Sequence, residues 1–136
     1  MTERSEMVNV RYMVDDVDEA IAFYTKFLDF KVLTSFVPAF ADVARGNLRL
    51  LLSGPTSSAG RPMPDGTKPR PGGWNRIHLI VDDIDAEVSR LRDARASFRN
   101  DILSGPGGKQ ILVQDPSGNV VELFQPAAAP VRKETP

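Results

Sequence analysis

His78 is the only imidazole in this 136-residue chain, and there is no cysteine. Imidazole is the one side chain whose unperturbed pKa lies near neutrality, so His78 is the natural candidate for moving a proton or binding a metal. One His and no thiolate narrow the metal chemistry. A single chain cannot build a site needing two imidazoles, nor a thiolate site for zinc or an iron–sulfur cluster. Arg76 stands two residues before His78 and Ile80 two after, so in an extended strand these three share a face, opposite Ile77, Leu79 and Val81. An earlier stretch reads the same way, with Asn9, Arg11 and Met13 on one face and Val8, Val10, Tyr12 and Val14 on the other. Arginine brings a planar fork of donors suited to carboxylates and other anions. Nothing resembles a nucleophile–base arrangement or a glycine loop with a Lys for cradling phosphate.

The elements that must position these residues are written as an internal repeat. Val14-Asp15-Asp16-Val17-Asp18 returns as Val81-Asp82-Asp83-Ile84-Asp85, 67 residues later, and the two alternating strands precede the two copies. Asp16, with Glu19 three residues on, reads as a helix cap, followed by an apolar stripe of Val17, Ala20, Ile21, Tyr24 and Leu28. Asp83 caps the second copy, whose stripe is Ile84, Val88 and Leu91. Strand-like runs follow each helix. In the first half they are Lys31–Phe36, Ala39–Ala44 and Leu48–Leu52, with Gly46-Asn47 as a hairpin turn. In the second they are a weak run near Ser97–Arg99, then Gln110–Gln114 and Val120–Phe124, the last two joined by the turn Asp115-Pro116-Ser117-Gly118-Asn119. Each half is thus β-α-β-β-β. The expected organisation is one domain over 1–136: module one at about 8–53, a Pro/Gly loop at 54–73, module two at about 74–126, and a frayed tail at 127–136.

Composition excludes several classes. Seventeen basic against 18 acidic residues, net charge -1, leave no broad basic face for nucleic acid. No apolar run approaches the roughly 20 residues of a membrane helix, and the polar start, Met1 to Met7, is unlike a signal peptide. The expectation is a cytoplasmic protein with no membrane or nucleic-acid partner.

The stretch Val14-Asp15-Asp16-Val17-Asp18, with Phe23-Tyr24 and Leu28-Asp29-Phe30, resembles the opening strand, helix and "FY…LGF" signature of the vicinal oxygen chelate superfamily. This group includes glyoxalase I, methylmalonyl-CoA epimerase, extradiol dioxygenases and bleomycin-resistance proteins. Asp115-Pro116-Ser117-Gly118-Asn119-Val120-Val121-Glu122-Leu123 is similar to the family's closing "DP.GN..EL" hairpin. The resemblance covers about residues 8–126. It implies an α+β fold of two tandem βαβββ modules forming a curled mixed sheet, and a homodimer. It also implies a divalent metal held by the first and last strands of each module. Those positions fall on Asn9, a residue within Arg49–Leu52, Arg76 and Glu122.

This set is a poor metal site. A guanidinium offers only donors, and Asn is a feeble single ligand. His78 lies one pleat from Arg76, roughly 7 Å away, so a shifted site using His78 and Glu122 is the alternative. The plainer reading of His78 is a hydrogen-bonded cavity residue. We therefore expect no metal and no cofactor, a salt bridge between Arg76 and Glu122, and a ligand-binding cavity formed by Asn9, Arg11, Arg49, Trp74, Arg76, His78 and Glu122. Trp74, Phe36 and Phe40 could line an apolar pocket, with Phe36 better suited to the core. The function expected is a metal-free small-molecule binder, sequestering an antibiotic or other anionic or aromatic ligand. The alternative is a lyase, isomerase or epimerase working without metal or with a displaced one, with His78 and Glu122 as catalytic candidates. A third reading is an interaction module whose cavity is vestigial.

Overall fold

The computed structural model describes residues 6–128; of the expected tail, residues 129–136 lie outside the described residues. The chain divides into two compact units. Among the described residues, one comprises 6–74 and Asp115–Asn119, and the other comprises Asn75–Gln114 and 120–128.

The first unit contains β1 (Val8–Met13), α1 (Val17–Phe27), β2 (Lys31–Phe36), β3 (Phe40–Arg45) and β4 (Leu48–Ser53). Its sheet runs β1-β4-β3-β2, with β1 parallel to β4 and the other pairs antiparallel. Asp16 caps α1 as expected, its carboxylate accepting from the Glu19 N–H at 3.1 Å. The helix buries Val17, Ala20, Phe23 and Tyr24, and the sheet buries Tyr12, Ala41, Val43, Leu50 and Leu52. Tyr24 stands at the centre of this core, edge-on to Tyr12, Phe23 and Phe30. Gly46 turns the β3–β4 hairpin at φ 59, where a residue without Cβ is unstrained.

Two apolar residues depart from the sequence reading. Val8 is 57% exposed, because it starts β1 beside the exposed β3–β4 turn, donating its N–H to the Asn47 carbonyl at 2.7 Å. Phe36, expected in the core, is 66% exposed. It is the last residue of β2, and β2 is the edge of the sheet, so alternation there carries no buried face.

The turn Asp115–Asn119 is a polar hub of this same unit. The Asp115 carboxylate accepts from the backbone N–H of Ser117 and Asn119 through Oδ1, both at 2.9 Å. Its Oδ2 accepts from Tyr24 Oη at 2.8 Å and Asn119 Nδ2 at 3.0 Å. Asn119 also donates to the Met13 carbonyl at 2.7 Å and accepts from the Gly72 N–H at 2.8 Å, while Ser117 Oγ accepts from the Asp15 N–H at 2.8 Å. The end of β1, the helix and the end of the Pro/Gly loop are thus tied to one buried acid. Burial raises the Asp115 pKa, and its four hydrogen bonds only partly oppose that rise. Burial first, then the charge of Asp115, pushes the Tyr24 phenol well above its usual range.

The second unit contains β5 (Ile77–Ile80), α2 (Ile84–Asp93), β6 (Ser97–Phe98), β7 (Leu103–Gly105), β8 (Gly108–Gln114) and β9 (Val120–Pro126). β5 is parallel to β9, β9 is antiparallel to β8, and β8 pairs antiparallel with both β6 and β7. Asp83 caps α2 through the Ala86 N–H at 3.1 Å. Ile84, Val88 and Leu91 bury the helix stripe, and Ile77, Leu79, Ile111, Val113, Val121 and Leu123 form the buried side of the sheet. Two helices and two mixed sheets make the fold α+β.

One strand was not foreseen. β7 forms a hairpin with β8, which starts at Gly108 rather than Gln110. Gly108 has φ 141, and a Cβ there would lie 2.1 Å from the Gln125 carbonyl oxygen. The glycine is required by the close approach of β9, although in sequence Gly105-Pro106-Gly107-Gly108 reads as a plain breaker.

Candidate functional site

Alternation leaves one face of each sheet free of its helix, and the ladders say which residues share it. In the second unit His78 pairs with Glu122 and Ile80 with Phe124, while Leu112 and Gln110 flank Glu122 and Phe124 from β8. Arg76 stands just before β5. Its guanidinium donates to Glu122 Oε1 twice, from Nε at 3.1 Å and from Nη2 at 2.9 Å. His78 Nε2 lies 3.4 Å from the other oxygen, Oε2, and the imidazole rests on the Phe124 ring with centroids 4.9 Å apart. Glu122 is buried, while the His78 side chain is 46% exposed. The expected Arg76–Glu122 pair is present. His78 is not set apart by its pleat. Parallel pairing brings it directly beside Glu122, and the longer arginine reaches the same carboxylate from one pleat away. Next to Phe124 a cavity of about 250 Å³ opens, lined also by Leu103, Gln110 and the glycines of the β7–β8 hairpin.

In the first unit Asn9 pairs with Arg49 and Arg11 with Leu51. Arg49 donates through Nε to Asp42 Oδ2 at 2.6 Å and through Nη1 to Asn9 Oδ1 at 3.4 Å. Asp42 is fully buried, and its Oδ1 has no hydrogen-bond partner among the described residues. Arg11 is exposed and donates from Nη1 to Ser53 Oγ at 2.8 Å. Asn9, Arg11 and Arg49 therefore share one face of the first unit, and Arg76, His78 and Glu122 share one face of the second. Trp74, placed by sequence among the cavity residues, is 66% exposed and lies in the first unit just outside any strand.

Asp42 was missed by the sequence reading, which sought a carboxylate only within Arg49–Leu52. A signal was available, because Asp42 is the one acid inside the otherwise apolar run Ala39–Ala44 and alternates with Phe40 and Ala44.

The registers also single out one residue within Arg49–Leu52 among the positions that the resemblance assigns to metal ligands. The repeat sets His78 over Arg11; His78 pairs with Glu122 and Arg11 with Leu51, so Leu51 is the counterpart of Glu122. The four positions are Asn9, Leu51, Arg76 and Glu122. They do not fit a divalent cation. Leucine has no donor atom, the Asn9 oxygen accepts from Arg49, and a guanidinium already holds Glu122 Oε1. Among the described residues no group of three or more His, Cys, Asp or Glu side chains could hold a metal ion.

Residues 7–123 match the family model of the Glyoxalase/Bleomycin resistance protein/Dioxygenase superfamily. The chain belongs to this superfamily. Its structure is similar to TnmS3, an antibiotic binding protein from Streptomyces sp. CB03234, at 25% identity and TM-score 0.69, covering 93% of this chain and 98% of that one. A superfamily member from Sphaerobacter thermophilus matches at 25% identity and TM-score 0.71, over 88% and 95% of the two chains. A lactoylglutathione lyase from Agrobacterium tumefaciens shares the fold at 24% identity and TM-score 0.67, over 89% and 93%. Among curated proteins, none matches the sequence. Among the described residues, no helix is long and apolar enough to cross a membrane.

Proposed function

We propose that this superfamily member is a metal-free small-molecule-binding protein that sequesters an aromatic or anionic ligand. It would act in the cytoplasm as a homodimer, with no nucleic-acid or membrane partner. The observation that carries this reading is the guanidinium of Arg76 on Glu122 Oε1, at the positions where the family fold would otherwise gather metal ligands. A permanently charged donor there cross-links two strands and competes with any cation for the one remaining carboxylate. The similarity to an antibiotic binding protein supports the ligand class. Metal analysis of protein purified without chelator is the direct test. Iron, zinc, nickel or manganese near one per chain, lost on Glu122→Ala, refutes the metal-free state. Thermal-shift screening of aromatic antibiotics tests the binding role, with stabilisation expected at micromolar ligand.

A second reading rests on the 3.4 Å approach of His78 Nε2 to Glu122 Oε2. A carboxylate beside one imidazole nitrogen can orient the ring and leave Nδ1 to take and return a proton, as a metal-independent isomerase, epimerase or lyase requires. If a substrate is found, turnover should fall at least about a hundredfold in His78→Ala. Unchanged turnover in both His78→Ala and Glu122→Gln removes this reading.

A further inference from the structure

Three arginines stand on the helix-free faces, and they differ in how their charge is met. Arg49 is held by the buried carboxylate of Asp42 and Arg76 by the buried carboxylate of Glu122. Among the described residues Arg11 has no acidic partner, and its hydrogen bond there goes to the neutral hydroxyl of Ser53. Ser53 is itself fully buried and donates to the Leu51 carbonyl at 3.3 Å, so its lone pair is turned toward Arg11. The guanidinium is thus held at Nη1, while its remaining N–H donors find no partner among the described residues. Its apolar neighbours on this face lie across from it and toward Met13, while Asn9 and Arg49 flank it on the other side. Leu51 lies directly across from Arg11, Met13 is the next residue of β1 on that face, and Phe40 pairs with Ser53 from β3. A fixed, uncompensated guanidinium beside leucine, methionine and phenylalanine suits a planar apolar body bearing one negative charge.

We infer that Arg11 is the anion anchor of this protein, that Ser53 is its positioning residue, and that the ligand class is an aromatic carboxylate or phenolate. The inference deepens the proposed small-molecule binding and rests on it. Arg49 and Arg76 then serve chiefly to pair buried acids, and Arg11 sets the preference for charge. The preference should also weaken as salt rises, because the Arg11 side chain is exposed to solvent.

The test compares two probes of one shape, 2-naphthoate and 2-naphthalenemethanol, by calorimetry on the full chain. The wild type should bind the anion at least about tenfold more tightly than the alcohol, the scale of one charge-assisted hydrogen bond. In Arg11→Gln that advantage should vanish while the alcohol binds as before. Arg11→Lys should keep part of it, since the charge remains and the fork is lost. Ser53→Ala should reduce the anion's advantage without moving the affinity for the alcohol, an outcome a merely structural hydroxyl would not give. Equal binding of both probes by the wild type, or an advantage that survives Arg11→Gln, overturns the anchor while leaving small-molecule binding intact. If neither probe binds at millimolar concentration, and the antibiotic screen is also negative, the binding function itself falls.

Discussion

Replacing Tyr24 by Phe removes one oxygen from the middle of the first unit and leaves the ring that packs against Tyr12, Phe23 and Phe30. No cavity is created, so the cost is that of one hydrogen bond, from Tyr24 Oη to Asp115 Oδ2 at 2.8 Å. The acceptor is a buried acid, and such bonds contribute about 1.5–3 kcal/mol at neutral pH. The same substitution deletes a titrating group, which makes the effect depend on pH with a defined sign. The folded-state pKa of Tyr24 is raised. Its stabilising contribution is therefore complete below the unfolded value of about 10 and is lost as pH rises beyond it. At pH 11, one unit above that value, the wild type has lost about 1.4 kcal/mol from this site, and the Phe variant has lost none. The gap between the two proteins should thus shrink from about 1.5–3 kcal/mol at pH 7.5 to about 0–1.5 kcal/mol at pH 11. Asp115 shapes the acid side. Its folded pKa is also raised, so its contribution is fullest below about 4 and declines as pH rises through the folded value. At pH 3 the acid is neutral in both proteins, the lost bond is an ordinary one, and the gap should be about 1 kcal/mol. Urea unfolding followed by circular dichroism at the three pH values gives all three gaps. A difference under about 0.5 kcal/mol at pH 7.5, or a gap that widens at pH 11, refutes the assignment of Asp115 as a buried acid held by Tyr24.

Three further outcomes follow from single residues. Asp42→Ala should cost about 3 kcal/mol, the low end for breaking a buried ion pair, because Arg49 keeps part of its side chain in water; the double variant Asp42→Leu/Arg49→Met should recover most of that loss in urea unfolding. Gly108→Ala should destabilise by at least about 1–3 kcal/mol from its backbone conformation alone, and amide hydrogen exchange should show the start of β8 losing its protection against β9. Glu122→Gln should leave Arg76 an acceptor and cost only about 1 kcal/mol, whereas Glu122→Ala should cost about 2–3 kcal/mol by leaving Arg76 and His78 without their shared carboxylate; neither should change metal content.

The parts of this molecule that were legible in the sequence are those in which one local rule decides the outcome. Asp16 and Asp83 cap helices because a short acid precedes an apolar stripe, and Asp115-Pro116-Ser117-Gly118-Asn119 turns because each residue suits its place. Neighbouring alternation placed Arg76 and His78 on one face. What was hidden depends on pairing between distant strands. Whether Phe36 is buried turns on β2 being an edge, which alternation within six residues cannot reveal. Gly108 looks like a breaker until Gln125 is brought against it. Asp42 and Arg49 are seven residues apart on antiparallel strands, and only the β3–β4 register sets them together.

The two units also show that the duplicated fold did not simply copy its polar pairs. Arg76 has Asn9 as its counterpart in the first module, and Glu122 has Leu51, so the pair that bridges β5 and β9 has no equivalent between β1 and β4. The first unit instead pairs Arg49 of β4 with Asp42 of β3, at positions unrelated by the repeat. Each unit thus reaches the same physical solution, a buried carboxylate neutralised by an arginine on the helix-free face, from different strands. A buried acid without such a partner would be costly, so these pairs answer a requirement local to each sheet. Arg11 and His78 are the repeat-related pair left over from that accounting. His78 shares the carboxylate of Glu122, and among the described residues Arg11 has only a hydroxyl. If the charge on these faces serves recognition, Arg11 is where it remains to be met by something outside the chain.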